Sequence, residues 1–213
     1  MGRVTLDDVT SVLCLGAHCD DIEIGAGATI LRLVDERPDV HVTWVVFSST
    51  LDREREARAS AAEFLAEAAH HQIEIHRFTD GFFPAEFAAI KGELEILKER
   101  LQPDLVFTHQ RDDRHQDHRV VSDLTWNTFR HHLVLEYEVP RYDGDLGQPN
   151  VFIPVDARLA ERKTELLMRH YTTQRDKHWF TPETFKALMR IRGVECRASE
   201  GFAEAFYGRK LTI

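Results

Sequence analysis

The chain alternates short apolar runs with longer segments in which apolar side chains recur at helical spacing. Residues 11–17 (SVLCLGA) form an apolar run that is too short for a helix and is typical of a buried strand. After Gly25 and Gly27, residues 28–36 show helical spacing, which Pro38 ends. The same two patterns follow along the chain and predict strands at 40–47, 73–78 and 104–108 and helices at 53–69, at 86–101 and from about 117.

Four strand–helix units in succession predict an α/β fold. Parallel strands need crossover connections, so the sheet should be largely parallel and covered by helices on both faces. Residues 133–155 are predicted to form two more strands around the loop RYDGDLGQPN, whose composition is typical of turns. The rest is predicted to be helical, with one helix near 156–170 and another after Pro182. Without internal repeats, a chain of this length suits a single domain over 1–213.

Composition and charge narrow the class of protein. Hydrophobic residues make up 43% and charged residues 30%, which is ordinary for a globular protein. No apolar run approaches a membrane span or resembles a signal peptide, so a cytoplasmic location is expected. A net charge of -9 without a basic run argues against a nucleic-acid partner. The odd count of 3 cysteines, without an export signal, predicts reduced thiols.

An imidazole and two carboxylates follow directly after the first predicted strand, in the segment Ala17-His18-Cys19-Asp20-Asp21. In open parallel sheets, ligands bind at this edge. Packing does not require such groups so close together, and a bound cation would offset the cost of crowding them. The segment therefore indicates a metal site, with an Asx turn and helix cap as the alternative.

A second acidic and imidazole-rich segment, DRHQDH at 113–118, follows the strand DLVFT in the same way. His115 and His118 are three residues apart, so they share one face if a helix begins here. Two such clusters at the carboxyl ends of two strands fit a split site better than chance surface placement. The sequence therefore predicts that the two segments converge.

Together the two motifs resemble those of the LmbE/PIG-L family of zinc-dependent deacetylases, which usually read AHPDD and HPDH or HxDH. The helix start at 53–57, the stretch 163–174 ending in YTTQ, and FAEAF at 202–206 also resemble family features. The resemblance implies a Rossmann-like, three-layer αβα sandwich with a mostly parallel sheet. The chain departs from the family at Cys19 and Gln116, where proline is common, and we interpret Cys19 as a filler rather than a reactive thiol.

The resemblance implies that His18, Asp21 and His118 hold zinc. Two imidazoles and one carboxylate are a typical ligand set of catalytic zinc, which keeps a fourth position open for water. One Zn²⁺ per chain is expected, and other divalent metals are compatible with the same ligands.

Asp20 is then free to take the proton of that water as general base, or it orients a ligand as a hydrogen-bond acceptor. Arg53, at a predicted helix start, is interpreted as a substrate-binding residue for an acyl carbonyl or an anionic group, with a solvated arginine as the alternative.

The resemblance implies that His115 stabilises the oxyanion or protonates the leaving amine. Asp117 is expected to be its partner and to favour the charged imidazolium. The alternative for His115 is a third imidazole ligand to the metal.

The resulting hypothesis is a hydrolase that removes an N-acyl group, expected to be acetyl, from an amino sugar or a glycoside-type small molecule. Its partner would be that N-acylated substrate, and the sequence leaves assembly into a homo-oligomer open. A metal-dependent phosphoesterase is one alternative, although such enzymes often need two adjacent metals. A non-catalytic binding module on the same fold is another, although it would be expected to have lost a ligand or the base.

Overall fold

The computed structural model of the protein describes residues 5–211. The strands are β1 (Ser11–Gly16), β2 (His41–Val46), β3 (His70–Ile75), β4 (Leu105–His109), β5 (Leu133–Tyr137), β6 (Val151–Val155) and β7 (Phe202–Gly208). The helices are α1 (Asp21–Glu36), α2 (Leu51–Phe64), α3 (Phe87–Arg100), α4 (Gln116–Thr128), α5 (Ala157–His170) and α6 (Pro182–Glu195), with a short 3-10 helix at Thr172–Gln174.

The strands form one sheet in the order β3-β2-β1-β4-β5-β7-β6. Strand β1 pairs in parallel with β2 and β4, and the same direction continues to β3 on one side and β5 on the other. Strand β7 runs antiparallel to its neighbours β5 and β6. The predicted α/β fold with a mostly parallel sheet is therefore confirmed.

The prediction that the end of the chain is helical was wrong at β7. Ala203, Glu204 and Ala205 are consecutive in this strand, and Ala and Glu are depleted in strands, so local preference misleads. Tertiary contacts decide instead, because Glu204 is buried and its Oε1 lies 2.6 Å from Nζ of Lys163 on α5. Strand β3 also begins earlier than predicted, at His70, where it pairs with His41 of β2.

Helices cover both faces of the sheet. Helices α1, α2, α5 and α6 pack together on one face, and α3 packs on α4 on the other. A hydrophobic core lies under each group, with Trp44 and Phe64 in the first and Leu94 and Phe129 in the second. Among the residues that the structure describes, no helix is long and apolar enough to span a membrane.

Helix α1 begins at Asp21 rather than at residue 28 as predicted. The two glycines that suggested a loop lie inside the helix, where they permit close packing. A Cβ on Gly25 would lie 2.2 Å from Cδ2 of Tyr137, and one on Gly27 would lie 2.8 Å from Cε1 of Phe64. The missing side chains therefore let α1 pack closely against β5 and α2.

A buried ion pair reaches the backbone in the middle of α1. Nζ of Lys163 donates to the carbonyl of Ile24 at 2.6 Å, and Glu204 accepts from the amides of Ala28 and Thr29 at 3.0 and 2.7 Å. These bonds tie α1 to α5 and β7, so the helix that carries the first motif is anchored along its length.

Strands β1 and β4 are neighbours in the sheet although they are the first and fourth strands. From β1 the chain builds the sheet toward β3, and after β4 it continues on the opposite side. The loops after these two strands leave the sheet at a topological switch point, where open α/β sheets bind ligands. They are also the loops that carry the two motifs.

Candidate metal centre and active site

Helices α1 and α4 begin within the two motifs. Asp20 is the N-cap residue of α1 and His115 is that of α4. Nδ1 of His115 accepts a hydrogen bond of 3.3 Å from the amide of Asp117, which caps α4. Oδ2 of Asp21 accepts one of 2.6 Å from the amide of His18 across the first loop. Local hydrogen bonds from backbone amides to side chains therefore fix both loops.

Three ligand atoms meet between the two loops. Nδ1 of His18 lies 3.1 Å from Nε2 of His118 and 3.3 Å from Oδ2 of Asp21. Nε2 of His118 lies 3.4 Å from the same carboxylate oxygen. Ligand atoms at roughly 2.0–2.1 Å from a tetrahedral zinc are about 3.3 Å apart. The three predicted ligands are brought together with the spacing that one zinc ion requires.

Carboxylates orient both imidazoles. Nδ1 of His118 lies 2.8 Å from Oδ2 of Asp113, so Nδ1 carries the proton and Nε2 keeps its lone pair. Nε2 of His18 lies 3.2 Å from Asp117 and 3.1 Å from Asp80, which leaves the lone pair on Nδ1. Each histidine therefore presents to the centre the nitrogen that can bind a metal.

The charges around these atoms favour a cation. Burial lowers the pKa of His118 to about 3, so this imidazole is neutral. Burial would also lower the pKa of His18, but Asp21 and the hydrogen bonds to Asp117 and Asp80 raise it well above its ordinary value. Positive charge is thus stabilised between the carboxylates, and a metal ion supplies it while both imidazoles stay neutral. The residues fit a divalent metal.

Neighbouring side chains offer three further ligand groups that share members with the first, and one of them consists of His18, Asp80, His115 and Asp117. Asp21, His109 and His118 form one group, and His18 and His118 form another with His115; the ligand atoms within each group all lie within 4.8 Å of one another. His109, the last residue of β4, accepts a hydrogen bond of 2.9 Å at Nε2 from the amide of Ala17. This bond occupies the nitrogen that faces Asp21, so His109 supports the first loop.

Beside the centre, the buried Asp20 pairs with the partly buried Arg53. Oδ1 of Asp20 lies 3.0 Å from NH2 of Arg53, whereas the buried Oδ2 has no hydrogen-bond partner among the described residues. Burial raises the pKa of Asp20, although the charge of Arg53 opposes this. Arg53 is not solvated as the alternative prediction allowed, since its guanidinium also lies over the ring of Tyr171 at 5.3 Å.

Asp117 does not pair with the ring of His115, and this expectation from the sequence was wrong. Asp117 is the second residue of α4, and its carboxylate turns toward the loop after β3. There it accepts hydrogen bonds from the amides of Gly81 at 2.6 Å and Phe83 at 3.1 Å. Asp117 therefore joins this loop to His18 instead of charging His115.

The protonation state of His115 follows from this arrangement. Burial lowers the pKa of His115, and the positive charge of Arg141 lowers it further. Because Nδ1 accepts from the amide of Asp117, the neutral ring carries its proton on Nε2. His115 is therefore a neutral hydrogen-bond donor rather than the expected imidazolium.

Three residues of the site were not assigned a role from the sequence. Asp113 was part of the second motif, but its contact with His118 depends on the fold of the loop. Asp80 follows β3 in an Asp-Gly turn, which signals only a turn. Arg141 lies in the loop after β5, and its NH2 lies 2.7 Å from Oδ1 of Asp113. The one local signal in the sequence was that Asp113 lies five positions before the predicted ligand His118.

The two departures from the family motifs have separate structural roles. Sγ of Cys19 donates to the carbonyl of Ser48 at 3.3 Å, and burial raises the pKa of the thiol to about 12. The residue is thus an unreactive filler, as interpreted from the sequence. Cys14 and Cys196 are also free, as expected. The side-chain amide of Gln116 donates to the carbonyl of Gly81 at 3.0 Å, a bond that proline does not form.

Comparison with known proteins is consistent with this fold and site. A model of the PIG-L family, described as GlcNAc-PI de-N-acetylase, matches residues 13–129. A protein of Escherichia coli (strain K12) named uncharacterized deacetylase YaiS is 31% identical over 172 residues, which cover 75% of this chain and 89% of that protein.

Two solved structures share the fold at lower identity. The N,N'-diacetylchitobiose deacetylase of Pyrococcus horikoshii has a TM-score of 0.76 and 20% identity, covering 96% of this chain and 85% of that chain. The 4-carboxy-2-hydroxymuconate hydratase GalB of Pseudomonas putida KT2440 has a TM-score of 0.78 and 16% identity, covering 96% and 98%. The same fold thus carries more than one reaction, and the fold alone does not choose between them.

The sequence comparisons decide the family. The family model covers both motifs and more than half of the chain, and the Escherichia coli relative shares 31% of its residues over three quarters of the chain. The chain therefore belongs to the PIG-L family of de-N-acetylases.

Proposed function

We propose that this protein is a zinc-dependent N-deacetylase that removes an acetyl group from an amino sugar or a small glycoside of one. The observation that carries the proposal is the triangle formed by His18, Asp21 and His118, with sides of 3.1, 3.3 and 3.4 Å. The family and the named deacetylase relative support amide hydrolysis. The chitobiose deacetylase of the same fold, which acts on an N-acetylated sugar, supports the substrate class.

Zinc held by this triangle would polarise the acyl carbonyl and make water more acidic. Asp20 acts as the general base through Oδ2, the oxygen without a partner among the described residues. As the water oxygen bonds to the carbonyl carbon, Asp20 takes its proton. Asp20 then gives a proton to the amide nitrogen as the carbon–nitrogen bond breaks. Arg53 keeps Oδ1 in the ion pair and so leaves Oδ2 free to take the proton.

His115 stabilises the acyl oxygen. Its neutral ring carries the proton on Nε2, since Nδ1 accepts from the amide of Asp117. A neutral donor strengthens its hydrogen bond as negative charge develops on that oxygen, without giving up its proton. Of the two roles expected from the sequence, the geometry favours oxyanion stabilisation over protonation of the amine.

A metal-dependent phosphoesterase is the competing function. The observation in its favour is a group of ligand atoms from His18, Asp80, His115 and Asp117 beside the triangle, where a second metal could bind. However, Nε2 of His18 already donates toward both carboxylates, and Asp117 also accepts from two backbone amides. The single centre and the deacetylase family favour amide hydrolysis.

The test is a screen of N-acetylated amino sugars and their glycosides with release of free amine as the readout. Protein stripped with a chelator is assayed before and after addition of one equivalent of zinc, and aryl phosphates are assayed in parallel. We expect amine release that depends on zinc, with one metal per chain by elemental analysis. Amine release that is unaffected by stripping, or phosphate release with two metals per chain, would contradict the proposal.

His118→Ala and His131→Ala are the matched variants for this screen. The first removes a ligand atom of the triangle, so we expect zinc binding and amine release to be lost together. The second removes a histidine that lines the groove between α3 and α4, away from the two motif loops. It should behave as the unmodified protein does.

A further inference from the structure

An exposed phenylalanine lies at the edge of the metal centre. Phe82 is 62% exposed, and the residues on both sides of it contact the site. Oδ1 of Asp80 lies 3.1 Å from Nε2 of His18, and the amides of Gly81 and Phe83 both donate to Asp117. Three residues that contact the site, Asp80, Gly81 and Phe83, are therefore one or two positions from Phe82 along the chain.

The turn that carries Phe82 is fixed on several sides. The amide of Phe82 donates to the carbonyl of Thr79 at 3.0 Å, and Gln116 holds the carbonyl of Gly81. Gly81 has a φ of 81°, a conformation that side chains disfavour, so glycine permits the turn. Phe83, the residue after Phe82, is fully buried, and its ring centroid lies 6.0 Å from that of His18. Phe82 thus projects from a rigid support.

A large apolar ring held in water on a rigid turn needs an explanation. Phe82 belongs to neither hydrophobic core and stacks on no aromatic ring among residues 5–211. Packing among the described residues therefore does not account for this side chain. Binding sites, by contrast, are commonly lined by aromatic side chains beside a few polar groups. A ring that meets the substrate would become buried only when the substrate binds.

We propose that Phe82 is a specificity-determining residue that packs against the apolar face of the sugar ring while the acetamide group lies at the metal centre. This inference rests on the proposed function and adds the part of the substrate that the protein recognises beyond its amide. Because the contact involves carbons that do not react, it should be equally strong in the ground state and the transition state. Loss of such uniform binding raises KM and leaves kcat unchanged.

The test compares four proteins on an N-acetylated amino sugar and on N-acetylated straight-chain amines. Phe82→Ala should raise KM for the sugar roughly 5- to 30-fold with kcat within about twofold. Phe82→Trp should restore KM, since it keeps a flat apolar surface. Phe87→Ala is the control, because Phe87 is also exposed but lines the groove between α3 and α4. Equal KM for Phe82→Ala and the unmodified protein, or an equal change on the straight-chain amides, would overturn the proposal.

A binding measurement separates this inference from the proposed function. If the unmodified protein hydrolyses none of the amides, calorimetry with the methyl glycoside of an N-acetylated amino sugar still reports whether the sugar ring is recognised. Binding that weakens in Phe82→Ala and not in Phe87→Ala would support the role of Phe82 even though the reaction is a different one. Binding that is the same in both variants, or absent from all proteins, would overturn it.

Discussion

Asp113 shows how a residue outside the ligand triangle can control one of the proposed metal ligands. Its Oδ2 holds Nδ1 of His118 at 2.8 Å, and its Oδ1 accepts from Arg141 and from the amide of His115. Burial by itself would raise the pKa of Asp113. The hydrogen bond to His118 and the positive charge of Arg141 outweigh burial and hold this pKa well below its ordinary value. The permanent negative charge fixes the tautomer of His118 and makes Nε2 a stronger ligand.

Asp113→Asn should lower zinc affinity about 10- to 100-fold, because a neutral amide supports the imidazole less well as a ligand. Competition with a fluorescent zinc chelator measures this affinity directly. Asp112→Asn is the matched control, since it removes the neighbouring charge from an exposed position. Equal affinities in the two variants would show that Asp113 does not tune the metal.

Asp20→Asn should keep zinc but lower kcat by about 10² to 10⁴, because an amide does not accept the proton of water. Steady-state kinetics on the best substrate of the screen, with zinc content measured on the same sample, check this. Asp52→Asn, which changes an exposed carboxylate at the start of α2, should leave kcat unaltered. Near-normal turnover of Asp20→Asn at full zinc content would move the base to another residue.

At this scale the sequence predicts residue types and their grouping better than their contacts. His18, Asp21 and His118 were identified from two motifs, and they do meet. The partner of His115 was misassigned, because a two-residue spacing at a helix start does not say where a carboxylate turns. The carboxylate of Asp117 accepts hydrogen bonds from the amides of Gly81 and Phe83 in the loop after β3. No local sequence pattern links those amides to α4.

Helix α1 shows a similar limit at the scale of elements. Its first turn supplies Asp21, yet the glycines at 25 and 27 suggested a loop there. Glycine has low helix propensity, but here the missing side chain makes room for Tyr137 and Phe64. Strand β7 was missed for the opposite reason. Ala and Glu favour helices, but the buried ion pair between Lys163 and Glu204 stabilises a strand here. Elements with strong periodicity were predicted well, and those decided by tertiary contacts were not.

Two glycine-to-alanine changes separate these effects. Gly25→Ala should lower the free energy of unfolding by about 1–3 kcal/mol, because the new Cβ would lie 2.2 Å from Cδ2 of Tyr137. Gly92→Ala, within α3, should raise it by about 0.5–1 kcal/mol, since a Cβ there meets nothing within 4 Å. Urea unfolding measures both. The same sign for the two changes would contradict the packing proposed for α1.

For the molecule as a whole, the candidate metal centre lies where the two sides of the sheet meet. His18 and Asp21 follow β1, which leads to β2 and β3, whereas His118 follows β4, which leads to β5. Any ion bound by all three residues therefore connects the two sides at the switch point. Its binding energy should stabilise the whole folded chain rather than one loop.

Zinc should therefore raise the thermal stability of the protein. At a free concentration about 100 times Kd the gain is about 2.7 kcal/mol, which corresponds to a rise in Tm of roughly 5–10 °C for a chain of this size. Differential scanning calorimetry of stripped and zinc-loaded protein measures it. His118→Ala should show no rise, and a rise of the same size in that variant would mean that zinc acts elsewhere.

The distance along the chain between the metal ligands bears on the order of events during folding. His18 and His118 are 100 residues apart, and they meet only after β1 and β4 are side by side. Closing a loop of that length before the sheet exists has an entropic cost, whereas the assembled sheet already holds the ligand atoms close together. A metal bound by these residues would thus bind the assembled sheet in preference to the unfolded chain. Such a metal would stabilise a sheet that has already formed. Newly made chains would depend on their own packing to reach the folded state that binds the metal.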